Sequence, residues 1–408
     1  MSAFNTLDDL TPGQRVLVRI DLNSPVEDGE VQDNNRFDRY SETVRELADD
    51  DHRVVVMAHQ GRPGRDTFVS LEQHTEILSE HVGKPVEFVA DTFGDDAQEA
   101  IESLEAGEIL MLENTRMTDD ELPEKSPEEH AESEFVQTLA PLFDAYVNDA
   151  YSVAHRAHAS TVGFPLALPA YAGRVMQTEY DYNTGVAEKA QEADGQVTMV
   201  VGGNKSKDVI GVIDNLGHVV DNFLLGGLPG QLFRRAQGHP IGYDVGDMDL
   251  LDDQYEETEE TIKDILDEKS DQLELPVDFA YKGEDGERAE IALDDIESKE
   301  MEYFDIGHDT IDKYTPIIRE SEAIFVKGAV GVFEDDRFGD GTKELLRAIG
   351  ETDCLSVVGG GDTARSITKY GLDEDDYDHI SIAGGAYLNA LTGQELVAAQ
   401  VLIDQADR

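Results

Sequence analysis

The run VNDAYSVAHRAHAST over residues 147–161 sets His155, Arg156 and His158 almost side by side. In a chain whose formal net charge is −57, such a cationic cluster is not ordinary surface, because the long-range field of an acidic protein repels anions. Guanidinium and imidazole donors gathered in one place make a pocket for an oxyanion, and arginine offers the paired donors that fit phosphate or carboxylate. Three clusters precede it: Arg36 with Arg39, His59-Gln60-Gly61-Arg62-Pro63, and Glu113-Asn114-Thr115-Arg116. Asp21 and Asn23 stand two apart just before Ser24-Pro25. On an extended backbone they project together toward a hydroxyl-bearing ligand beside the arginines; the alternative is a plain turn. Zinc at His155 and His158 is disfavoured, since no cysteine or third histidine is near in sequence and the adjacent arginine repels a cation.

The second half carries different chemistry. Five short apolar runs each end in glycine: 198–201 into Gly202-Gly203, 222–225 into Gly226-Gly227, 323–326 into Lys327-Gly328, 355–358 into Gly359-Gly360-Gly361, and 379–382 into Ala383-Gly384-Gly385. Glycine at a strand end lets a ligand approach the backbone, and a helix starting there offers unpaired N–H groups to an anion. Five such junctions together point to a polyphosphate or nucleotide site. Gly202-Gly203-Asn204-Lys205-Ser206 is not a Walker A loop, because Asn204 stands where the pattern needs glycine. Residues 359–364 satisfy GxGxxA, but Asp362 would repel a pyrophosphate unless a metal intervenes. Mg²⁺ suits that arrangement, since it takes one or two carboxylates plus phosphate oxygens.

These residues need a scaffold that brings strand ends together. Residues 15–20, 53–58 and 108–112 read as strands, with 145–147 as another, and 40–49 and 71–82 have helical periodicity. The strand–helix alternation predicts a parallel sheet with helices on both faces, repeated in the second half. The expected fold is α/β, two doubly wound parallel-sheet, Rossmann-like domains. An apolar segment at 163–172 with Pro165 and Pro169 closes the first domain, a helix over 174–190 connects it onward, and the acidic stretch 243–272 is helix and loop on the solvated face.

At 408 residues the chain accommodates two or three domains. Its 89 Asp and Glu against 32 Lys and Arg are spread along the whole length, which predicts a folded protein with an acidic, solvated surface rather than a disordered tail. Such a surface suits a high-salt cytoplasm, where the screening length falls to about 3 Å at 1 M. Nucleic acid and anionic membranes are excluded as partners by the lack of any basic stripe. The single Cys354 rules out an internal disulfide and is expected in the core. With no signal-peptide pattern and no apolar run near ~18 residues, a cytoplasmic location is expected.

Taken together, and in order along nearly the whole chain, these pieces resemble the phosphoglycerate kinase family, and the charge resembles that of a haloarchaeal member. The matching pieces are 18–25, 59–63, 112–116, 148–161, 202–205, 305–307, 331–334, 359–364 and 384–386. The resemblance implies a 3-phosphoglycerate domain over 1–170, a hinge helix over 171–190, a Mg-nucleotide domain over 191–388, and a segment 389–408 returning to the first domain. It assigns 3-phosphoglycerate or 1,3-bisphosphoglycerate to Asp21, Asn23, Arg36, His59, Arg62, Arg116 and Arg156. ATP or ADP falls to Lys205, Glu334, Gly361, Asp362, Thr363, Gly384 and Gly385, with Mg²⁺ on Asp362. Arg36 and Lys205 are the implied catalytic cations, meeting the phosphoryl group on domain closure. The acceptor is a carboxylate, ionised at neutral pH, so no general base is required. A monomer is implied.

Two departures stand out. The family's second lysine, four residues after Lys205, is Val209 here, and the asparagine of its Trp-Asn-Gly-Pro segment is Lys327. Lys207 and Lys327 are candidate replacements for the missing charge; a lost α-phosphate contact is the other option. These departures motivate one competing reading, a non-catalytic homologue that binds nucleotide or phosphoglycerate. Another is a nicotinamide-dependent oxidoreductase on the GxGxxA run, which Asp362 disfavours.

Overall fold

The computed structural model describes residues 3–185, 195–241, 250–297 and 301–406. The chain divides into two compact units, Met1–Asp181 with Glu395–Arg408, and Tyr182–Gln394.

The first unit is built on a six-stranded parallel sheet: β1 (Arg15–Arg19), β2 (Arg53–Met57), β3 (Val86–Phe88), β4 (Ile109–Met111), β5 (Ala145–Asn148) and β6 (Ala170–Ala172), in the order β3-β4-β2-β1-β5-β6. Val16, Leu17 and Val18 of β1 and Val54, Val55 and Val56 of β2 are wholly buried. Both faces are therefore covered, as parallel sheets require. Helix α1 (Asn35–Asp49) starts five residues before the periodic stretch expected at 40–49, because Asn34 caps it by accepting the Arg36 N–H at 3.0 Å. That cap places Arg36 in the first turn. Helix α2 (Glu72–Val82) covers the same sheet, and helix α3 (Arg174–Thr184) leaves the unit. The helix expected over 174–190 is thus present to Thr184; residues 186–194 lie outside the described residues.

The second unit repeats the plan with β7 (Gln196–Val201), β8 (Asn222–Leu225) and β9 (Leu273–Glu274). An antiparallel trio follows, β10 (Asp278–Lys282), β11 (Arg288–Ala292) and β12 (Tyr303–Ile306), and then β13 (Ser321–Lys327), β14 (Leu355–Gly359) and β15 (His379–Ser381). The parallel sheet runs β9-β8-β7-β13-β14-β15, so successive strands spread outward in both directions from the β7/β13 seam. The trio, ordered β11-β10-β12, was not anticipated. Of its strands β10 and β12 are mostly buried, while β11 is half-exposed to exposed throughout and offers little hydrophobic pattern to read. Helices α4 (Ser206–Leu216), α5 (Gly227–Ala236), α6 (Leu250–Glu268), α7 (His308–Glu320), α8 (Asp340–Gly350), α9 (Gly361–Tyr370) and α10 (Gly385–Leu391) complete the unit. Four of the five strand-to-glycine junctions lead into a helix; the fifth, at Lys327-Gly328, enters an irregular loop that reaches α8 at Asp340. The acidic stretch is helical over α6, while residues 242–249 lie outside the described ones. Cys354 is half-buried rather than core, with its sulfur 2.9 Å from Thr352 Oγ1.

The last helix, α11 (Val397–Ala406), packs with the first unit, where Ala398 N–H donates to Ala154 O at 2.9 Å. Among the described residues no helix is long and apolar enough to cross a membrane.

Candidate active site

The carboxyl ends of β1, β2, β4 and β5 meet at one edge of the first sheet, and every substrate-side residue expected from sequence lies just beyond them. Asp21 follows β1. It is buried and accepts hydrogen bonds from Arg36 Nη1 and Ser152 Oγ. Burial alone would raise its pKa, but Arg36 together with the other charged and hydrogen-bonding neighbours, Ser152 and Arg19 among them, outweighs that and holds the carboxyl well below the usual range. Asn23 turns back: its N–H donates to Asp21 Oδ1 at 3.0 Å and its Oδ1 accepts the Gly61 N–H at 2.8 Å. The β2 loop needs Gly61, at φ +64°, because a Cβ there would lie 2.2 Å from Thr67 O. Arg116 Nη1 donates to the Gly61 carbonyl. Gln60 joins the loops after β1 and β4, accepting the Ser24 N–H at 2.8 Å and receiving Asn114 Nδ2 on its carbonyl at 2.8 Å.

Beneath this surface lies Arg19, a fully buried arginine that sequence reasoning treated only as strand. Its Nε donates to Ser160 Oγ at 2.9 Å, its Nη1 to Ile20 O, and its Nη2 stands 3.0 Å from His59 Nδ1. Arginine is a donor only, so His59 Nδ1 must accept and the ring carries its proton on Nε2. The 3.6 Å approach of that nitrogen to Asp21 Oδ1 is therefore not an ion pair. Burial drives the His59 pKa well below its ordinary value, in keeping with a neutral ring. Ser160 passes the contact on, its Oγ donating to buried Glu121 at 2.7 Å.

The remaining cations crowd one another. Burial, with Arg19 and Arg156 nearby, lowers Arg116 to about 10. Burial and then Arg62 depress Arg156, whose Nε donates to His155 Nε2 at 3.0 Å. His155 falls to about 4 through burial and Arg156, and His158 to about 3 through burial and Arg19. Arg62 itself is exposed. Guanidiniums that raise each other's energy in this way form a site waiting for an anion.

In the second unit the strand ends enclose a cavity of about 650 Å³, within the range of small-ligand sites. Lys205, Glu334, Gly361, Asp362, Thr363, Gly384 and Gly385 all line it. The floor is backbone closed on backbone: Gly202 N–H donates to Lys327 O at 2.9 Å, Gly203 N–H to Ala329 O at 2.7 Å, and Gly227 N–H to Val330 O at 2.8 Å. A Cβ at Gly202 would sit 2.2 Å from Ala329 O. Lys205 is exposed at the N-cap of α4. Thr363 Oγ1 is buried with no hydrogen-bond partner, and Asp362 opens α9, its Oδ1 accepting from Arg365 Nη2 at 2.6 Å. A single exposed carboxylate beside an unpartnered hydroxyl and a helix start fits a Mg²⁺ ion carried on phosphate oxygens. Among the described residues no group of three or more His, Cys, Asp or Glu side chains is arranged to hold a metal unaided.

Sequence reasoning missed Arg19, Glu121, Ser152 and Ser160. A charge inside the apolar run 15–20 was the available signal for Arg19, since a buried guanidinium must have partners. The two serines carried none.

A family model described as phosphoglycerate kinase matches residues 7–394. Among curated relatives, the phosphoglycerate kinase of Halorubrum lacusprofundi is 65% identical over 408 residues, covering 100% of both chains. That of Haloarcula marismortui is 61% identical over 399 residues, covering 98% of this chain and 99% of the relative. Among solved structures, phosphoglycerate kinase from Pyrococcus horikoshii superposes with a TM-score of 0.90 at 33% identity, covering 99% of each chain. The chain belongs to the phosphoglycerate kinase family, phosphotransferases with a carboxyl group as acceptor.

Proposed function

We propose that the first unit binds 3-phosphoglycerate on Asp21, Asn23, Arg36, His59, Arg62, Arg116 and Arg156. The second unit binds ATP or ADP on Lys205, Glu334, Gly361, Asp362, Thr363, Gly384 and Gly385. Phosphoryl transfer runs reversibly between ATP and the carboxylate of 3-phosphoglycerate, giving 1,3-bisphosphoglycerate and ADP. The observation that carries this reading is the 650 Å³ cavity at the strand ends, lined by all the expected nucleotide residues.

In this reading Asp21 stays ionised and accepts from a substrate hydroxyl, while the arginines neutralise phosphate and carboxylate and fix their orientation. Arg36 and Lys205 are the two cations assigned to the transferring group, whose charge they stabilise. Asp362 holds Mg²⁺, which when bound neutralises phosphate charge. Thr363 Oγ1 donates to a phosphate oxygen, relieving its lack of a partner. The hinge falls in residues 171–190, and the enzyme works as a cytoplasmic monomer adapted to molar salt.

The test is ADP production from Mg-ATP and 3-phosphoglycerate in multimolar KCl, with Lys205→Ala as the comparison. Turnover dependent on 3-phosphoglycerate is expected, with kcat down by about 10²–10³-fold in the variant, the usual cost of one charge-stabilising donor. Folded protein that binds ATP without turnover overturns the proposal.

A further inference from the structure

The cavity has an unusual balance of charge. Its lining holds the carboxylates Asp208, Glu302, Glu334 and Asp362, and its lysines are Lys205 and Lys327. A nucleotide polyphosphate entering it needs both cations. Lys207 does not help: it is exposed, lies outside the lining, and pairs with Glu257 of α6 at 3.0 Å. Val209 lies on the wholly buried face of α4, packed into the core. Lys327 is placed otherwise. It is the last residue of β13, at the β7/β13 seam where the strand order reverses, which is where open α/β sheets receive ligands. Its side chain is 14% exposed, and its Nζ donates to Asp208 Oδ2 at 3.0 Å.

We propose that Lys327 is a phosphate-binding residue for the nucleotide, contacting the phosphates that are not transferred, with Asp208 as the counter-ion that holds its ammonium until nucleotide arrives. Resting on the nucleotide reading of the cavity, this adds a residue whose charge comes from a strand end rather than from α4. Lys205 is the exposed cation of the lining and Lys327 the half-buried one. An ammonium has three donors on a flexible stem, so it can take up a phosphate oxygen while keeping or releasing Asp208. Half of the lining's positive charge would be lost with it.

The experiment is calorimetric titration of Mg-ADP and of adenosine into the wild-type protein, Lys327→Asn and Asp208→Asn, in multimolar KCl, with KM for ATP and for 3-phosphoglycerate measured alongside. Lys327→Asn is expected to weaken Mg-ADP by about ten- to a hundredfold, the range for losing a charge-assisted contact. Adenosine affinity and KM for 3-phosphoglycerate should stay within twofold, and KM for ATP should rise. Asp208→Asn frees the ammonium and should tighten Mg-ADP several-fold; this arm decides the matter if Lys327→Asn does not fold. Mg-ADP affinity within twofold of wild type in Lys327→Asn, or unchanged or weaker binding in Asp208→Asn, overturns the proposal. Wild-type protein that binds no Mg-ADP instead overturns the nucleotide reading itself.

Discussion

Arg19 offers the sharpest test of how the first unit is held. Replacing it with methionine keeps the length and apolar stem of the side chain and removes the guanidinium. Three buried acceptors then lose their donor: Ser160 Oγ, Ile20 O and His59 Nδ1. Asp21 also loses a nearby positive charge. Removing one partner from a buried charge network costs about 3–5 kcal/mol. For a unit of this size each kcal/mol moves Tm by ~2–4 °C, so a fall of roughly 6–20 °C is expected by calorimetry in multimolar KCl. A coupling measurement goes further. In an Asp21→Asn background the carboxylate that Arg19 balances is gone, and Arg19→Met should cost at least ~1 kcal/mol less than in wild type. Loss below ~1 kcal/mol in the single variant would refute the network; strict additivity in the pair would refute Arg19 as counter-charge to Asp21. KM for 3-phosphoglycerate should rise as well, because His59 loses the contact that fixes its tautomer.

Three other outcomes follow from the geometry. Asp362→Asn should raise the Mg²⁺ needed for half-maximal turnover by tenfold or more without altering 3-phosphoglycerate binding, whereas Arg365→Ala, freeing the carboxylate it pairs with, should lower it; Mg²⁺ titrations of initial rate separate the two. Stability should climb steeply as KCl rises from 0.1 to 1 M, where the screening length shrinks from about 10 to 3 Å; a Tm flat across that range removes the halophilic reading. Acidification should destabilise the first unit. His155 and His158 have folded pKa values of about 4 and 3, and His59 is shifted the same way. The unfolded chain therefore binds more protons below about pH 6.5. Stability is complete above that pH and is lost as it falls toward 4. His74, at about 4, and His130 are lowered by burial in the same sense; Asp149, raised to about 6 by burial, acts in the opposite sense but is one group against five histidines. A Tm that rises between pH 6.5 and 4.5 contradicts this balance.

Much of this architecture was legible because it rests on repetition. Val-rich runs ending in glycine or in charged residues recur, and each puts its chemistry at a strand's carboxyl end, so the sheet plan and the two residue sets could be read together. Elements that lack such a pattern escaped. The edge strands β3, β6 and β9 are two or three residues long, too short for periodicity to register. The antiparallel trio escaped although its β12 residues line the cavity with Tyr303 and Phe304. The start of α1 was misplaced because its signal was a cap at Asn34 rather than an apolar stripe. Lys207 and Lys327 were indistinguishable as replacements in sequence; only the pairing of one with Glu257 and of the other with Asp208 separates them.

The side-chain-free floor of the second unit's cavity limits what mutation can explore. Gly202 donates its N–H to the last residue of β13, and Gly203 and Gly227 donate theirs to the loop that follows; a methyl added at Gly202 or Gly227 would collide with backbone rather than with a side chain that could move aside. Selection for a different base therefore has nothing to exchange there. The side chains open to exchange are on the walls, at Leu228, Val332 and Phe333, outside the strands of the sheet. A lineage drifting toward another nucleotide would leave its record at those three positions while the glycines stayed still.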